Sequence, residues 1–276
     1  MNHFLTLKDI TVSIVNEIFS IADTIKENDN LLNRKSVVLF FPNSSIRTRV
    51  TFEKGIVALG GQPILFPSDA LDKKEAIRDV IGYLNNWADC LIVRHNRLDY
   101  IENIAKCSAM PVINAMTSEN HPCEVLSDLY AISKIKEEYL SLQYTFVGKC
   151  GNIANTWFEA SRALGFRFRQ CCPQGENYEI PGAEIVCDLK SAMKGSDVIL
   201  TDSLPLEALD DFKPYQITTD AMIQANSGAI LNPCPPFHRG EEISDDVIDS
   251  SYFVGYNFKA SLLNVQQAII AWLLCG

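Results

Sequence analysis

The sequence predicts an α/β protein made of two tandem domains, each built on a parallel β-sheet. Short apolar runs alternate with longer segments of helical periodicity, an order typical of parallel strands covered by helices on both faces. The alternation pauses after Lys136 and starts again at Tyr144. The chain has 276 residues, 47% of them hydrophobic, which is enough for two packed cores and too apolar for a disordered chain.

The first half is expected to contribute four strands and three helices. Residues 37–41 form an unbroken apolar run, which indicates a strand buried on both faces. The other strands are predicted at 63–66, 89–94 and 111–114, and the helices at 47–59, 74–86 and about 121–136. Gly60 and Gly61 follow the first helix and are expected to end it, because glycine is common just after a helix C-terminus.

The second half repeats this order. Its strands are predicted at 144–148, 167–171, 197–201 and 229–231, and its first helix at 152–164. The polar segment 136–139 (Lys-Glu-Glu-Tyr) is the best boundary between the halves. Residues 262–274 are strongly apolar and predict a final helix that needs burial.

Charge and cysteine content exclude several classes of protein. The 34 acidic and 24 basic residues give a net charge of −10, so no nucleic-acid partner is expected. The nine cysteines contain no C-x-x-C pair, so we expect no zinc site and predict buried free thiols in a reducing cytosol. The N-terminus does not resemble a signal peptide, and no run approaches the roughly 18–20 apolar residues of a membrane span. A cytoplasmic protein without a membrane partner is therefore expected.

A polar loop between the first strand and the first helix is the first candidate site. Helix N-termini offer unpaired backbone N–H groups and a partial positive charge, and Ser45, Arg47 and Thr48 would add donors suited to phosphate oxygens. A serine N-cap followed by solvated arginines explains the same residues equally well. The loop is not a Walker loop, because the G-x-x-x-x-G-K-[ST] pattern is absent.

Two further groups follow other strands of the first half. Arg94 ends the strand at 89–94, where either a ligand contact or an ordinary surface arginine is consistent with the sequence. His121, Glu124 and Asp128 are spaced so that they share one helix face. Near a helix N-terminus, His121 would have a low pKa and could donate to a developing oxyanion as a neutral imidazole. A capping histidine with a solvated acidic face is the alternative, and we expect no metal because no other histidine has matching spacing.

The second half offers two candidate loops. The turn after the strand at 144–148 lacks the G-x-G-x-x-G pattern, which disfavours a nicotinamide-dependent oxidoreductase, and Asn152 there could hydrogen-bond a polar substrate. Asn232 and Pro233 open a proline-rich loop whose carbonyls could bind a ligand amine. Cys234 in the same loop is an alternative as a nucleophile.

Taken together, these motifs resemble the aspartate/ornithine carbamoyltransferase family, in family order and over nearly the whole chain. Residues 45–49 (Ser-Ile-Arg-Thr-Arg) resemble its S-T-R-T-R carbamoyl-phosphate loop, and Arg94 resembles its strand-end arginine. Residues 121–124 (His-Pro-Cys-Glu) resemble its H-P-x-Q motif. Residues 232–235 (Asn-Pro-Cys-Pro) resemble H-C-L-P of the ornithine branch or H-P-L-P of the aspartate branch. The resemblance implies a carbamoyl-phosphate-binding domain over 1–136, an amino-acid-binding domain over 137–256, and a C-terminal helix in 257–276 that returns to the first domain.

The resemblance also implies a role for each motif. The residues that would bind carbamoyl phosphate are Ser45, Ile46, Arg47, Thr48, Arg94, His121, Glu124 and Cys234. Those expected to be catalytic are Arg47, Thr48, Arg94 and His121. An amine attacks the carbamoyl carbon and phosphate leaves, so neither a metal nor an organic cofactor is implied. Lys74 falls where a loop of the neighbouring subunit enters the active site, which implies a homotrimer with shared sites.

The second substrate is expected to be an ornithine-like amino acid. Asn152 and Asp202 stand where the aspartate branch has arginines, and both match the ornithine branch. A carboxylate at Asp202 would attract an ammonium group and repel a dicarboxylic acid. Asn232 and Pro233 complete the expected amine-substrate set. An aspartate-type or novel acceptor is the alternative.

Several positions depart from the family pattern. Ile46 replaces a threonine, and Glu124 replaces a glutamine. Leu262 replaces an arginine expected before the last helix, with Lys259 three residues earlier. The S-M-G segment expected after Asp202 is absent. These changes suggest an unusual acceptor, an altered donor site, or a catalytically impaired paralogue that only binds an anion.

Overall fold

The computed structural model describes residues 3–26 and 29–275, and the chain divides into two compact units. Unit 1 consists of Met1–Ile132 with Lys259–Gly276, and unit 2 is Ser133–Phe258. Each unit carries one parallel sheet, and the C-terminal helix packs in unit 1. The predicted fold class is therefore confirmed.

Unit 1 has a four-stranded parallel sheet in the order β2-β1-β3-β4. Its strands are β1 (Ser36–Phe41), β2 (Gln62–Pro67), β3 (Cys90–Arg94) and β4 (Val112–Met116). The helices that accompany them are α1 (Val12–Thr24), α2 (Arg47–Ala58), α3 (Ile77–Leu84), α4 (Leu98–Cys107) and α5 (Pro122–Ile135). The central strands β1 and β3 are buried on both faces, as their unbroken apolar runs predict.

The topology of unit 1 gathers three loops at one edge. Parallel strands all end on the same side of their sheet, so the segments after β1, β3 and β4 meet there. These segments carry Ser45 to Thr48, Arg94 and His121. The candidate residues of the first half are thus placed by the strand order rather than by their proximity in sequence.

Unit 2 has a five-stranded parallel sheet in the order β7-β6-β5-β8-β9. Its strands are β5 (Gln143–Val147), β6 (Arg167–Cys171), β7 (Glu184–Val186), β8 (Val198–Thr201) and β9 (Ile230–Pro233). Its helices are α6 (Asn152–Leu164), α7 (Leu189–Met193), α8 (Leu209–Phe212), α9 (Thr219–Met222) and α10 (Asp245–Ile248). Here too the segments that follow the central strands carry the candidate residues.

The last helix, α11 (Ser261–Cys275), belongs to the core of unit 1 and packs on α1 and α2. The Gln267 side chain donates from Nε2 to the carbonyl of Gly55 at 3.0 Å. A Cβ on Gly55 would lie 2.9 Å from Cγ of Gln267, so this close approach needs glycine. By length and composition alone, Tyr256–Cys275 would also suffice to cross a membrane, contrary to the prediction that no run approaches a span, but 44% of that stretch is buried inside the protein.

One predicted helix is wrong at its start, and seven helices and strands of the described residues were not predicted. Residues 72–76 form an exposed bend, so the helix expected at 74–86 is limited to α3. The unpredicted elements are the helices α1 and α4, the edge strand β7, and the short helices α7, α8, α9 and α10 of unit 2. Helix α1 does bury Val15, Ile18, Phe19 and Ala22, which follow the spacing of one helix face. The apolar spacing of these residues indicates a helix from the sequence alone.

Candidate active site

The loop after β1 presents hydroxyl groups and backbone N–H groups at the start of α2. Ser45 and Thr48 are buried, whereas Ile46 is 70% exposed and Arg47 is also exposed. Residue 46, not Ser45, occupies the N-cap position, and no side-chain hydrogen bond caps this helix. The serine N-cap interpretation is therefore wrong, and the N–H groups of the first turn stay available to a ligand.

Arg94 extends the same site from the end of β3. Its Nη1 donates to Ser45 Oγ at 2.9 Å. Burial, and after it the nearby charge of Arg47, lower the pKa of the Arg94 guanidinium. Two guanidinium groups thus lie close enough to repel each other, which favours a bound anion between them. A cavity of about 270 Å³ at this edge is lined by Pro42, Ser44 and Arg94 among others.

His121 is buried at the start of α5 and is electrostatically close to Arg94. Its pKa is lowered to about 4, chiefly by burial; Glu124 acts to raise it, and the charges of Arg94 and Lys259 act with burial to lower it. The imidazole is therefore neutral near pH 7, and a neutral ring N–H is a hydrogen-bond donor. Such a group can polarise a carbonyl oxygen without adding a full charge.

Glu124 and Asp128 lie on the same helix but not on a solvated face. They are 6% and 3% exposed, so the expected solvated acidic face is wrong. Lys259 Nζ lies 2.9 Å from Glu124 Oε1, and 2.6 and 2.8 Å from the two Asp128 oxygens. Burial alone would raise the pKa of Glu124, but Lys259, His121 and Arg47 together lower it. Glu124 is therefore ionised, close to both Arg47 and His121.

Lys259 is the residue of this site that the sequence did not single out. In the sequence it stands only as a lysine three residues before Leu262, the position where the family pattern has an arginine. It is separated from Glu124 by 135 positions along the chain. Leu262 itself is buried in unit 1. In residues 3–26 and 29–275 no group of three or more histidine, cysteine or acidic side chains has the arrangement to hold a metal ion.

Unit 2 carries the remaining candidate residues at the carboxyl edge of its sheet. Asn152 begins α6 and accepts from its neighbour Ile153 at 2.8 Å, and Asp202 follows β8. A cavity of about 290 Å³ is lined by Asp202, Gly151, Lys149 and Glu207 among others. Lys149 and Glu207 were not predicted, although Lys149 stands in the motif that directly follows β5.

The proline-rich loop of unit 2 continues directly from β9. Asn232 and Pro233 are the last two residues of β9 and are buried, and Cys234, which follows the strand, is buried as well. The backbone N–H of Cys234 donates to the carbonyl of Thr201 at 2.8 Å, which ties this loop to the end of β8. The loop and Asp202 therefore lie at neighbouring strand ends.

Lys74 lies apart from these groups in the exposed bend between Leu71 and α3. Its side chain is exposed, and the described contacts place it against none of the candidate site residues of unit 1.

The fold and the arginine-rich edge of unit 1 are typical of α/β proteins whose site accepts a small anion. Comparison with known proteins agrees in both halves. Residues 2–134 match the family model of the aspartate/ornithine carbamoyltransferase carbamoyl-P binding domain. Residues 141–273 match the model of the Asp/Orn binding domain. The chain belongs to the aspartate/ornithine carbamoyltransferase family.

Individual relatives are similar over their full length. Ornithine carbamoyltransferase of Geobacter metallireducens is 32% identical, with 99% of each chain covered. The crystal structure of ornithine carbamoyltransferase from Burkholderia thailandensis has a TM-score of 0.92 at 28% identity and covers 100% of this chain and 99% of that one. The Pyrococcus furiosus enzyme has the same TM-score and identity, covering 100% and 97%. The resemblance noted from the sequence motifs is therefore confirmed.

Proposed function

We propose that this protein transfers the carbamoyl group of carbamoyl phosphate to the amine of an ornithine-like amino acid. The observation that carries the proposal is the cluster at the carboxyl edge of unit 1, where Arg94 bonds Ser45 and lies near Arg47 and His121. The similarity of the whole chain to ornithine carbamoyltransferases supports the same conclusion.

The donor substrate would be held by charge and by hydroxyl donors. In this proposal Ser45, Thr48, Arg47 and the backbone of Ile46 bind the phosphate, while Arg94, His121 and Thr48 donate to the carbamoyl oxygen. The amine nitrogen attacks the carbamoyl carbon, the bond from that carbon to the phosphate oxygen breaks, and phosphate leaves with the electron pair. The nitrogen then loses a proton, which the departing phosphate takes up, so that the products are the carbamoylated amine and hydrogen phosphate. Positioning and charge stabilisation supply the catalysis, so the proposal includes no cofactor.

The acceptor would be recognised in unit 2. Asp202 lines the cavity of unit 2 and provides a carboxylate for an ammonium group. Asn152 and Asn232 provide neutral amide side chains, and Pro233 provides a backbone carbonyl. A dicarboxylic acceptor such as aspartate would meet the negative charges of Asp202 and Glu207 in the same cavity, one of which is offset by Lys149 at 3.9 Å from Glu207, so the cavity keeps a net negative charge. The acceptor side therefore favours ornithine over aspartate.

We further propose that residues 1–136 form the carbamoyl-phosphate-binding domain, 137–256 the amino-acid-binding domain, and 257–276 the helical segment that packs on the first. The protein would act in the cytoplasm, in arginine metabolism, as a homotrimer with shared active sites. Lys74 lies in an exposed bend, which suits a residue that reaches a neighbouring subunit. Val50 and Val57, more than half exposed on α2, provide apolar surface for such a contact.

An acceptor screen tests the proposal. Purified protein is mixed with carbamoyl phosphate and, separately, ornithine, N-acetylornithine, putrescine or aspartate, and both phosphate release and the carbamoylated product are measured. Turnover with ornithine and little with aspartate is the expected result. Binding of carbamoyl phosphate without turnover on any amine would instead support an anion-binding paralogue. Light scattering on the same sample measures whether the mass is three times 30.8 kDa.

A further inference from the structure

Lys259 is a cation held among the buried acidic groups of unit 1. It lies just before α11, in the 3-10 turn Tyr256–Ala260, and its side chain is 20% exposed. Its Nζ contacts one oxygen of Glu124 and both oxygens of Asp128, at 2.6 to 2.9 Å. Those two side chains are 8% and 4% exposed, so the lysine is the charged partner that makes their burial tolerable.

The charges around the anion site depend on this lysine. In the cluster formed by Arg47, Arg94, His121, Glu124, Asp128 and Lys259, the three cations and two carboxylates give a net charge of +1, because His121 is neutral. Asp72, which lines the neighbouring cavity, lies outside this cluster and is the same in all the variants below. Without Lys259 the net charge is zero, and Glu124 would stand as an uncompensated carboxylate near Arg47 and His121. A doubly charged ligand would then be repelled by the very group that lies beside it.

We propose that Lys259 is a positioning residue of the carbamoyl-phosphate site, which fixes the Glu124 carboxylate as an acceptor for an N–H donor of the ligand and offsets its charge. This rests on the proposed function. A carboxylate has several acceptor positions, and Lys259 engages one oxygen of Glu124, so the group retains capacity for a ligand amide. The lysine acts through Glu124 and is not expected to contact the reacting atoms.

The test is a charge-matched series of Lys259→Met, Glu124→Gln and the double variant. Lys259→Met lowers the net charge to zero and is expected to raise KM and Kd for carbamoyl phosphate by about tenfold or more. The double variant returns the net charge to +1 and should recover carbamoyl-phosphate affinity to within about threefold of wild type. KM for ornithine, measured at saturating carbamoyl phosphate, is expected to stay unchanged throughout. Lys259→Arg keeps the charge and should retain most of the affinity.

A matched control separates this role from simple loss of an ion pair. Lys35 also belongs to unit 1 and lies 2.9 Å from Asp89, outside the anion site. Lys35→Met is expected to lower the melting temperature slightly and leave KM for carbamoyl phosphate unchanged.

Each outcome bears on one proposal. If Lys259→Met melts at a lower temperature but keeps the wild-type KM, the lysine is structural only and the positioning role is wrong. If Lys259→Met does not fold, the comparison passes to Glu124→Gln with and without Lys259→Met. Because the lysine acts through Glu124, removing it from the Glu124→Gln variant should change the affinity for carbamoyl phosphate by less than about threefold. A further loss of about tenfold or more in the double variant would show that the lysine acts independently of Glu124 and would overturn the role. A wild-type protein that binds no carbamoyl phosphate would overturn the proposed function, and this role with it.

Discussion

Replacing Arg47 by alanine should separate carbamoyl-phosphate binding from stability. Arg47 is exposed and lies near a second guanidinium, Arg94, so the ligand-free protein gains little from it. With a bound dianion, the same guanidinium would donate charge-assisted hydrogen bonds of about 1.5–3 kcal/mol each. We expect a loss of about 3–4 kcal/mol in the transition state, similar to removal of an oxyanion donor, which corresponds to a drop in kcat/KM of about 10²–10³.

The measurement is kcat/KM for carbamoyl phosphate at saturating ornithine, together with the melting temperature of the ligand-free protein. Arg49 gives a matched control on the same helix, because its Nε is bonded to Glu53 at 2.6 Å. Arg49→Ala should change kcat/KM by less than about 1 kcal/mol. The ligand-free Arg47→Ala variant should unfold within about 0.5 kcal/mol of wild type. Near-normal kcat/KM in Arg47→Ala, or a similar loss in Arg49→Ala, would refute the assignment of the anion site.

Three further predictions follow from the two units. Carbamoyl phosphate at about 100 times its Kd should stabilise the protein by about 2.7 kcal/mol, seen as a rise in melting temperature that ornithine alone does not produce. Because the pKa of His121 is lowered from 6.5 to about 4, the unfolded chain binds a proton in this pH range that the folded chain does not, so the free energy of unfolding should decline as pH falls from about 6.5 toward 4, by about 2 kcal/mol at pH 5. Urea unfolding at several pH values should show this decline in wild type and a smaller one in His121→Gln, and equal declines in the two proteins would contradict the prediction. Asp202→Asn should raise KM for ornithine by about 10–100-fold, as expected for loss of a charged hydrogen bond, and leave KM for carbamoyl phosphate unchanged. The control Asp220→Asn, at an exposed position, should alter neither KM. An unchanged KM for ornithine in Asp202→Asn would remove Asp202 from the acceptor site.

The sequence was most informative where local pattern and topology agree. The apolar run of β1 predicted a buried central strand, and the polar loop after it predicted the location of Ser45 and Arg47. Arg94 and His121 could be expected at the same edge because parallel strands end on one side of a sheet. These predictions rest on apolar runs, polar loops and strand direction, all of which can be read from local stretches of the sequence.

Long-range contacts and burial were beyond the same reasoning. Spacing placed Glu124 and Asp128 on one helix face, but it did not indicate whether that face is exposed to solvent or buried. The answer depends on a lysine that lies 131 residues from Asp128 and approaches it only after α11 has packed into unit 1. Likewise, Glu207 enters the cavity of unit 2 from a short turn with no local pattern.

Two of the departures from the family pattern, Glu124 and Leu262, can be explained together by charge and burial, and this explanation argues against an inactive paralogue. Leu262 is buried in the packed core of unit 1, where an arginine would require a charge to be desolvated. The glutamate at residue 124 adds a negative charge, and Lys259 provides a positive one within hydrogen-bond distance of it. A site that had merely decayed would be expected to leave the buried carboxylate unpaired, which costs several kcal/mol. The pairing of Glu124 with Lys259 instead preserves a net positive site, which is the property that binding of a dianion requires.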